Sequence, residues 1–250
     1  MKALITGASS GIGKDMALIL SDMGYDVIIV ARNRKKLEKV AKGLSGNVEI
    51  IDTDISTTFN CMKLYNKVKK EDIEIVVNNA GFGLFGKFED TKIDKEMDMI
   101  DTNIKGMHTL TKLFLKDFKD KNRGYILNVA SSAAFLSGPL MATYYATKAY
   151  VLHLTEAINE ELRRENSNVY IGVLCPGPVD TNFNKIAGVE FNLKSMSSNE
   201  VAKYAIDKMF KRKLHIIPGI KIKLGVFVTR LIPRKLMTKI SYGIQKKKSK

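Results

Sequence analysis

Short apolar runs alternate along this chain with longer amphipathic ones. Strand-like runs fall at Ala3–Ile5, Val27–Val30, Val48–Ile51, Ile75–Val77, Tyr125–Val129, Val169–Leu174 and Leu214–Ile217. Helix-length segments separate or follow them, at 12–23, 33–43, 56–70, 94–120, 143–166 and 198–211. In the fifth, Val151, Leu152, Leu154, Ile158 and Leu162 place an apolar stripe at helical spacing. This alternation predicts an α/β fold, a doubly wound parallel sheet of the Rossmann type with helices on both faces. No repeat or linker interrupts the chain before residue 211, so one domain is expected over 1–217, with a helical extension over 218–250. Asn182–Ser198 lacks a periodic signal and lies between a strand and a helix, which suits a lid.

Composition narrows the class. With 250 residues and 45% apolar side chains the chain can bury an ordinary core, which excludes disordered, collagen-like and disulfide-scaffold classes. Cys61 and Cys175 stand far apart in sequence and fit no metal or redox spacing; two isolated thiols suit a reducing, cytoplasmic compartment. His108, His153 and His215 have no ligand-spaced partners, so no metal is expected. No secretory signal is visible after Lys2. The long uncharged run Gly124 to Thr147 is broken by Asn128, three serines and Gly138-Pro139, so it reads as a strand and loop rather than a membrane span.

Charge divides the chain in two. Residues 1–210 carry 28 basic and 26 acidic side chains, a net +2, whereas 211–250 carry 13 basic side chains and no acidic one. Over 219–245, Leu224, Phe227, Val228, Leu231, Ile232, Leu236, Ile240 and Ile244 recur at helical spacing among lysines and arginines. The pattern predicts a basic helix with one apolar face, kinked or divided at Pro233. Three uses stay open: docking onto the body or a sister subunit, peripheral contact with an anionic membrane, or a solvated terminus. Nucleic acid is disfavoured, because few aromatics interleave the charges.

The first strand runs straight into Thr6-Gly7-Ala8-Ser9-Ser10-Gly11-Ile12-Gly13 and then a helical pattern. Gly7, Gly11 and Gly13, with Ser9, Ser10 and Ile12, would let the backbone approach a pyrophosphate at a helix N-terminus. The spacing is G-x-x-x-G-x-G rather than G-x-G-x-x-G. Arg32 closes the second strand, where an acidic residue would accept from an adenosine ribose hydroxyl. An arginine there suits a 2′-phosphate, hence NADP(H) over NAD(H); the alternative is that it merely starts a solvated helix.

Taken together, Thr6–Gly13, Asn78-Asn79-Ala80-Gly81, Asn103, Ser131, Tyr144-x-x-x-Lys148 and Pro176-Gly177 resemble the short-chain dehydrogenases/reductases over residues 1–210. The resemblance implies an oxidoreductase acting on CH–OH groups, with Asn103, Ser131, Tyr144 and Lys148 as its catalytic set. Tyr144 and Lys148, four apart, share a helix face, and a nearby ammonium should lower the phenol's pKa. Tyr144 would protonate a developing alkoxide, Lys148 would also hold the nicotinamide ribose, and Asn103 would hold a water. Ser131, preferred over Ser132 by its spacing to Tyr144, would hydrogen-bond the substrate carbonyl.

The same resemblance makes Asn79, Ala80 and Gly81 cofactor contacts, along with Pro176, Gly177, Val179 and Thr181 after the sixth strand; an ordinary turn would also favour that Pro-Gly pair. Asp54 would contact adenine or cap a helix ahead of Ser56. Phe82, Phe85, Phe135 and Phe183 would line an apolar pocket, with no charged group in evidence to hold an acidic head. The expected substrate is therefore a hydrophobic ketone or aldehyde, 3-oxoacyl or lipid-like compounds included, and the expected assembly a homodimer or homotetramer. The rival readings are a dinucleotide sensor without catalysis and a membrane-surface protein on the same fold.

Overall fold

The computed structural model describes residues 1–180 and 196–246. Among them the apolar runs become strands β1 (Lys2–Thr6), β2 (Asp26–Ala31), β3 (Val48–Asp52), β4 (Ile73–Asn78), β5 (Tyr125–Val129) and β6 (Tyr170–Leu174). Two short strands, β7 (Val179–Asp180) and β8 (Met196–Ser197), pair with each other, and β9 (His215–Ile216) returns to the main sheet. That sheet is parallel throughout, in the order β3-β2-β1-β4-β5-β6-β9. The chain winds outward from β1 to β3 and then crosses back to β4. The reversal opens a crevice at the carboxyl ends of β1 and β4, where such sheets bind ligands.

Helices cover both faces because each presents an apolar stripe and the strands are apolar on both sides. On one face, α1 (Gly11–Asp22), α2 (Arg34–Ala41) and α7 (Ser198–Phe210) pack Met16, Leu20, Leu37, Ala205 and Met209 onto the strands. On the other, α3 (Thr58–Val68), α5 (Met107–Lys121) and the end of α6 (Ala142–Arg164) bring in Leu64, Phe114, Phe118 and Leu162. The expected helix over 94–120 is α4 (Ile93–Ile100) and α5 joined by a π-helical turn, Asp101–Gly106, which carries Asn103. Widened turns of this kind recur at functional sites.

A polar thread runs through this core. Asn78 donates to Thr111 Oγ1 (3.0 Å) and Asn128 Oδ1 (2.9 Å), and Asn128 donates to Thr155 Oγ1 (3.0 Å). Each buried bond adds only about 0.5–1.5 kcal/mol net, but a shift of register would strand several buried groups at once. The thread ties β4 and β5 to α5 and α6, the elements that carry the site.

The extension forms α8 (Ile220–Thr229) and α9 (Arg234–Lys246), divided before Pro233 as the sequence predicts. It docks on the body, yet not by the face the apolar pattern advertises. Along α9 the buried positions are Ser241 and Gln245, and Gln245 Nε2 donates to Tyr145 Oη on α6. Along α8, Val226 is buried and Ile222 lies against Gly177, while Leu224 and Phe227, and Leu231 beyond the helix, stay exposed.

Candidate active site

The glycine turn leads from β1 into α1 beside the crevice. Asn79 braces it: Nδ2 donates to the carbonyls of Thr6 (3.1 Å) and Gly7 (3.2 Å). Thr6 Oγ1 in turn accepts from the backbone N–H of Asn79 (3.0 Å) and Ala80 (3.1 Å). Gly13 has to be glycine, since a Cβ there would stand 2.3 Å from Asn79 Nδ2 and 2.7 Å from Gly7 O. Ser10 occupies the N-cap of α1 without a side-chain cap bond, and the first turn holds no acidic residue. The helix therefore presents uncapped N–H groups and a positive dipole end, the complement of a pyrophosphate. This fits the dinucleotide that the turn implies. Ser9, Gly11 and Ile12 lie on the same turn.

Arg32 follows β2 with a side chain 69% exposed, held only loosely by Asp54 Oδ2 at 3.9 Å. Its neighbour Arg34 is engaged instead, with Asp52 (3.0 Å) and Glu38 (3.1 Å). Asp54 forms a local turn, Oδ1 accepting from Ser56 N at 3.0 Å. The cap of α3 is Thr57, not Asp54, which corrects the helix-cap alternative.

At the end of β5 and along α6 the structure brings Ser131, Tyr144 and Lys148 together. Tyr144 is buried and hydrogen-bonded to the Ser131 side chain. Ser131 Oγ also accepts from Ala133 N at 3.1 Å, which fixes its position as the cap of the 3₁₀ turn Ser132–Phe135. Ser132 reaches the loop after β6 through its backbone, donating to Pro176 O at 2.8 Å. Lys148 is buried too: Nζ donates to Val129 O (2.9 Å) and stands 5.8 Å from the Tyr144 ring centroid. Burial holds the Lys148 ammonium down at about 8. Burial also pushes the Tyr144 phenol above its ordinary value, with the Ser131 hydrogen bond opposing the rise. The expectation that a nearby ammonium would lower the phenol's pKa is therefore corrected: burial raises it, and the opposing influence is the Ser131 hydrogen bond.

Asn103 is buried, and both of its side-chain donors are committed, to Phe82 O (2.9 Å) and Thr147 Oγ1 (3.1 Å). Oδ1 accepts from Phe82 N at 3.0 Å, so the amide pins the strand-to-loop segment against α6. Gly81 permits this crowding. A Cβ there would stand 2.8 Å from Asn103 Oδ1 and 3.4 Å from Lys148 Nζ.

Of the expected pocket residues, Phe82 and Phe85 pack with Leu84 against Met99, Ala133, Met141 and Tyr144. Phe135 does not join them: it packs on the group containing Met107, Val151, Leu152 and Cys175, because the 3₁₀ turn sends Ala133 and Phe135 to different sides. Pro176, Gly177 and Val179 follow β6 beside Ser131, with Pro176 O facing Ser131 Oγ at 3.5 Å. Thr181, Phe183 and most of the expected lid lie outside the described residues. Cys175, pushed up to about 12 by burial, is a packed thiol rather than a nucleophile.

Three arrangements escaped the sequence. Lys235 and Lys239 of α9 line, with Pro139, Thr238 and Tyr242, an open groove of about 460 Å³, so charged groups do reach this end of the molecule. The groove's only link to the sequence is α9's own periodicity. His153 and His215 both hydrogen-bond Glu156, at 3.0 and 2.7 Å, so the histidines are not without carboxylate partners. No metal-holding group forms among the described residues. Asn128 stands out as a lone amide inside the apolar run Tyr125–Val129, but its partners Asn78, Thr111 and Thr155 do not.

Comparison with known proteins agrees with this geometry. The short chain dehydrogenase family description matches residues 1–189. An oxidoreductase of Staphylococcus epidermidis is 34% identical over 181 residues, 72% of this chain and 78% of its own. Among solved structures, a short-chain dehydrogenase from Sphingobium yanoikuyae in complex with NADPH superposes with a TM-score of 0.83 at 26% identity, covering 94% of both chains. The bulky-bulky ketone specific alcohol dehydrogenase from Comamonas testosteroni gives 0.79 at 25% identity, covering 92% of both.

Proposed function

The chain belongs to the short-chain dehydrogenase/reductase family, and within it we propose an NADPH-dependent reductase of hydrophobic ketones or aldehydes. The family makes it a dinucleotide-dependent oxidoreductase of alcohol and carbonyl groups. The observation that carries the finer reading is the Ser131–Tyr144–Lys148 cluster, its phenol and ammonium buried, beside an uncapped, glycine-built helix N-terminus.

Bound in the crevice, the nicotinamide would supply a hydride to the carbonyl carbon. Ser131 would hydrogen-bond the carbonyl oxygen and hold it toward Tyr144. At neutral pH the raised pKa keeps Tyr144 protonated, so it is ready as the donor of the proton that the oxygen takes up. The phenolate left behind is stabilised by the Ser131 hydroxyl and by the Lys148 ammonium. Lys148 spends one N–H on Val129 O and retains two, enough for a ribose hydroxyl and the phenolate side. Because both Asn103 donors are taken, a water relaying protons to Lys148 would rest on the widened main chain of the π-helical turn.

Arg32 supports the preference for NADP(H), since its guanidinium is exposed and only weakly engaged where a 2′-phosphate would lie. The NADPH bound by the Sphingobium relative points the same way. Phe82, Leu84, Phe85 and Met141 around Tyr144 favour an apolar substrate, as does the ketone preference of the Comamonas relative. Both cysteines are free and buried, which suits a reducing cytoplasm. No helix among the described residues is long and apolar enough to cross a membrane.

The test is NADPH consumption over a panel of hydrophobic ketones and aldehydes by wild type and Tyr144→Phe, with NADPH affinity measured on the same preparations. Loss of the proton donor should slow turnover by about 10²–10⁴-fold and leave affinity within a factor of about three. Undiminished turnover in the variant would remove Tyr144 from the chemistry.

A further inference from the structure

We infer that the outward face of α8 and α9 seats this enzyme on an anionic lipid surface. The observation is an inversion. On α8, Ile220, Leu224 and Phe227 recur at a spacing that puts them on one side, and with Leu231 just beyond the helix they are 84%, 62%, 56% and 70% exposed. On α9 the row Leu236, Ile240 and Ile244 stays half-exposed, while the neighbouring row through Ser241 and Gln245 is buried. The docking side of α9 is thus its more polar row, anchored by Gln245 on Tyr145. Ordinary surface helices bury the opposite set. Contiguous exposed apolar side chains of this extent mark a surface that meets something.

Charge identifies the occupant. After residue 210 the chain has 13 basic side chains and no acidic one. Among the described residues, no carboxylate pairs with Lys221, Lys223, Arg230, Arg234, Lys235 or Lys239. In the body, where acidic side chains nearly balance basic ones, many basic groups are paired, as Arg34 is with Asp52, Lys67 with Glu49 and Arg123 with Asp72. A second copy of the chain meeting this face about a two-fold axis would set two uncompensated cationic surfaces against each other. An anionic headgroup layer compensates them, and the acyl boundary beneath it takes the apolar rows. The apolar α8 and the amphipathic α9, divided by Pro233, lie flat on such a layer without spanning it. The seating does not depend on which carbonyl compound is reduced.

The experiment is co-sedimentation of the full chain with phosphatidylglycerol-containing vesicles and with pure phosphatidylcholine vesicles, at low and high salt. Two variants accompany it, Leu224→Ser/Phe227→Ser/Leu231→Ser and Arg230→Ser/Arg234→Ser/Lys235→Ser; all six side chains are exposed, and circular dichroism with NADPH binding verifies folding. Wild type should partition at least tenfold more onto anionic than neutral vesicles at low salt, and each variant should lose at least tenfold. Absence of wild-type binding to anionic vesicles overturns the inference. So does full binding by the apolar variant, which would leave only adsorption of charge. A wild-type dimer that the apolar variant converts to monomer also overturns it, because a second copy would then cover the face. NADPH consumption without vesicle binding separates failure here from failure of the catalytic reading.

Discussion

The body and the extension of this protein use the same amphipathic code with opposite results. In α5 the apolar stripe goes inward: Leu110, Phe114 and Phe118 are buried against the sheet, and the lysines between them face water. In α9 the apolar row Leu236, Ile240 and Ile244 is left outside while Ser241 and Gln245 face the body; α8, apolar on both sides, docks Ile222 and Val226 and still leaves Ile220, Leu224 and Phe227 exposed. The difference lies in what each helix finds when it arrives. The sheet offers a broad apolar face, so any crossover helix gains most by burying its stripe. By the time the chain reaches residue 220 both faces of the sheet are covered, and what remains is the rim of the site, with its backbone groups and the Tyr145 hydroxyl. An amphipathic stripe states that a helix has a face to hide, not that its own fold will hide it.

Several changes would break or sharpen this contrast. The largest effect belongs to the body. Ser131→Ala should lower reductase turnover by about 10²–10³-fold, the cost of losing one donor at a developing oxyanion. Ser132→Ala, whose contact with the Pro176 loop is through the backbone, should remain near wild type. If the two serines exchanged effects, the assignment at the end of β5 would be reversed. On the extension, Leu224→Ser should alter turnover less than twofold in the same assay.

Next comes Arg32→Asp. Charge-assisted hydrogen bonds are worth about 1.5–3 kcal/mol, so NADPH affinity should fall about ten- to a hundredfold while NADH affinity rises. Titration of both cofactors with each protein is the measurement. Equal affinities of the wild type for both would end the NADP reading. The reverse contrast is offered by Arg230→Asp on the extension, also exposed, which should leave both affinities unchanged.

A pH profile separates buried from exposed lysines. Lys148, held near 8 by burial, loses its ammonium as pH rises through that value. If the ammonium is the working form, kcat/KM for reduction should fall above about pH 8, approaching tenfold per unit. The stability consequence has the opposite sign. The unfolded lysine binds its proton up to its ordinary 10.5, so between about 8 and 10.5 the unfolded state holds more protons and rising pH favours the folded state. A profile flat from pH 7 to 10 would detach Lys148 from the reaction.

The smallest effects test how the extension is attached. Gln245→Ala removes a buried hydrogen-bond partner of Tyr145 and should lower stability by about 1–3 kcal/mol in thermal unfolding. Leu224→Ser, on the outward face, should stay within about 0.5 kcal/mol. Equal losses from both would mean that Leu224 is buried in solution, as it would be under a second copy of the chain.

Much of the site was legible in one dimension. The turn Gly7–Gly13, the Tyr144–Lys148 spacing, Ser131 at a strand end and Arg32 after the second strand all concern residues a few positions apart or placed at element ends. Such short-range spacing can be read without the fold. The π-helical turn at Asn103 was not legible, because a helix of 94–120 has the same apolar period with or without one widened turn. The packing of Phe135 was not legible for a related reason: successive residues of a 3₁₀ turn point to different sides, and spacing does not say to which.

The sequence by itself determined the order and kind of the elements, since strand and helix periods and glycine turns are short-range consequences of backbone sterics. It also determined that the chain ends in two basic amphipathic pieces divided at Pro233. The tertiary structure alone decided what meets across long separations: Thr6 with Asn79 and Ala80, Asn78 with Thr111 and Asn128, His153 and His215 on Glu156, and Gln245 on Tyr145, 100 positions away. It decided as well that Tyr144 is raised rather than lowered in pKa, because burial is a property of the packed whole. And it decided that the apolar rows of the extension face outward, because which side of a helix is hidden depends on the surface left for it to occupy.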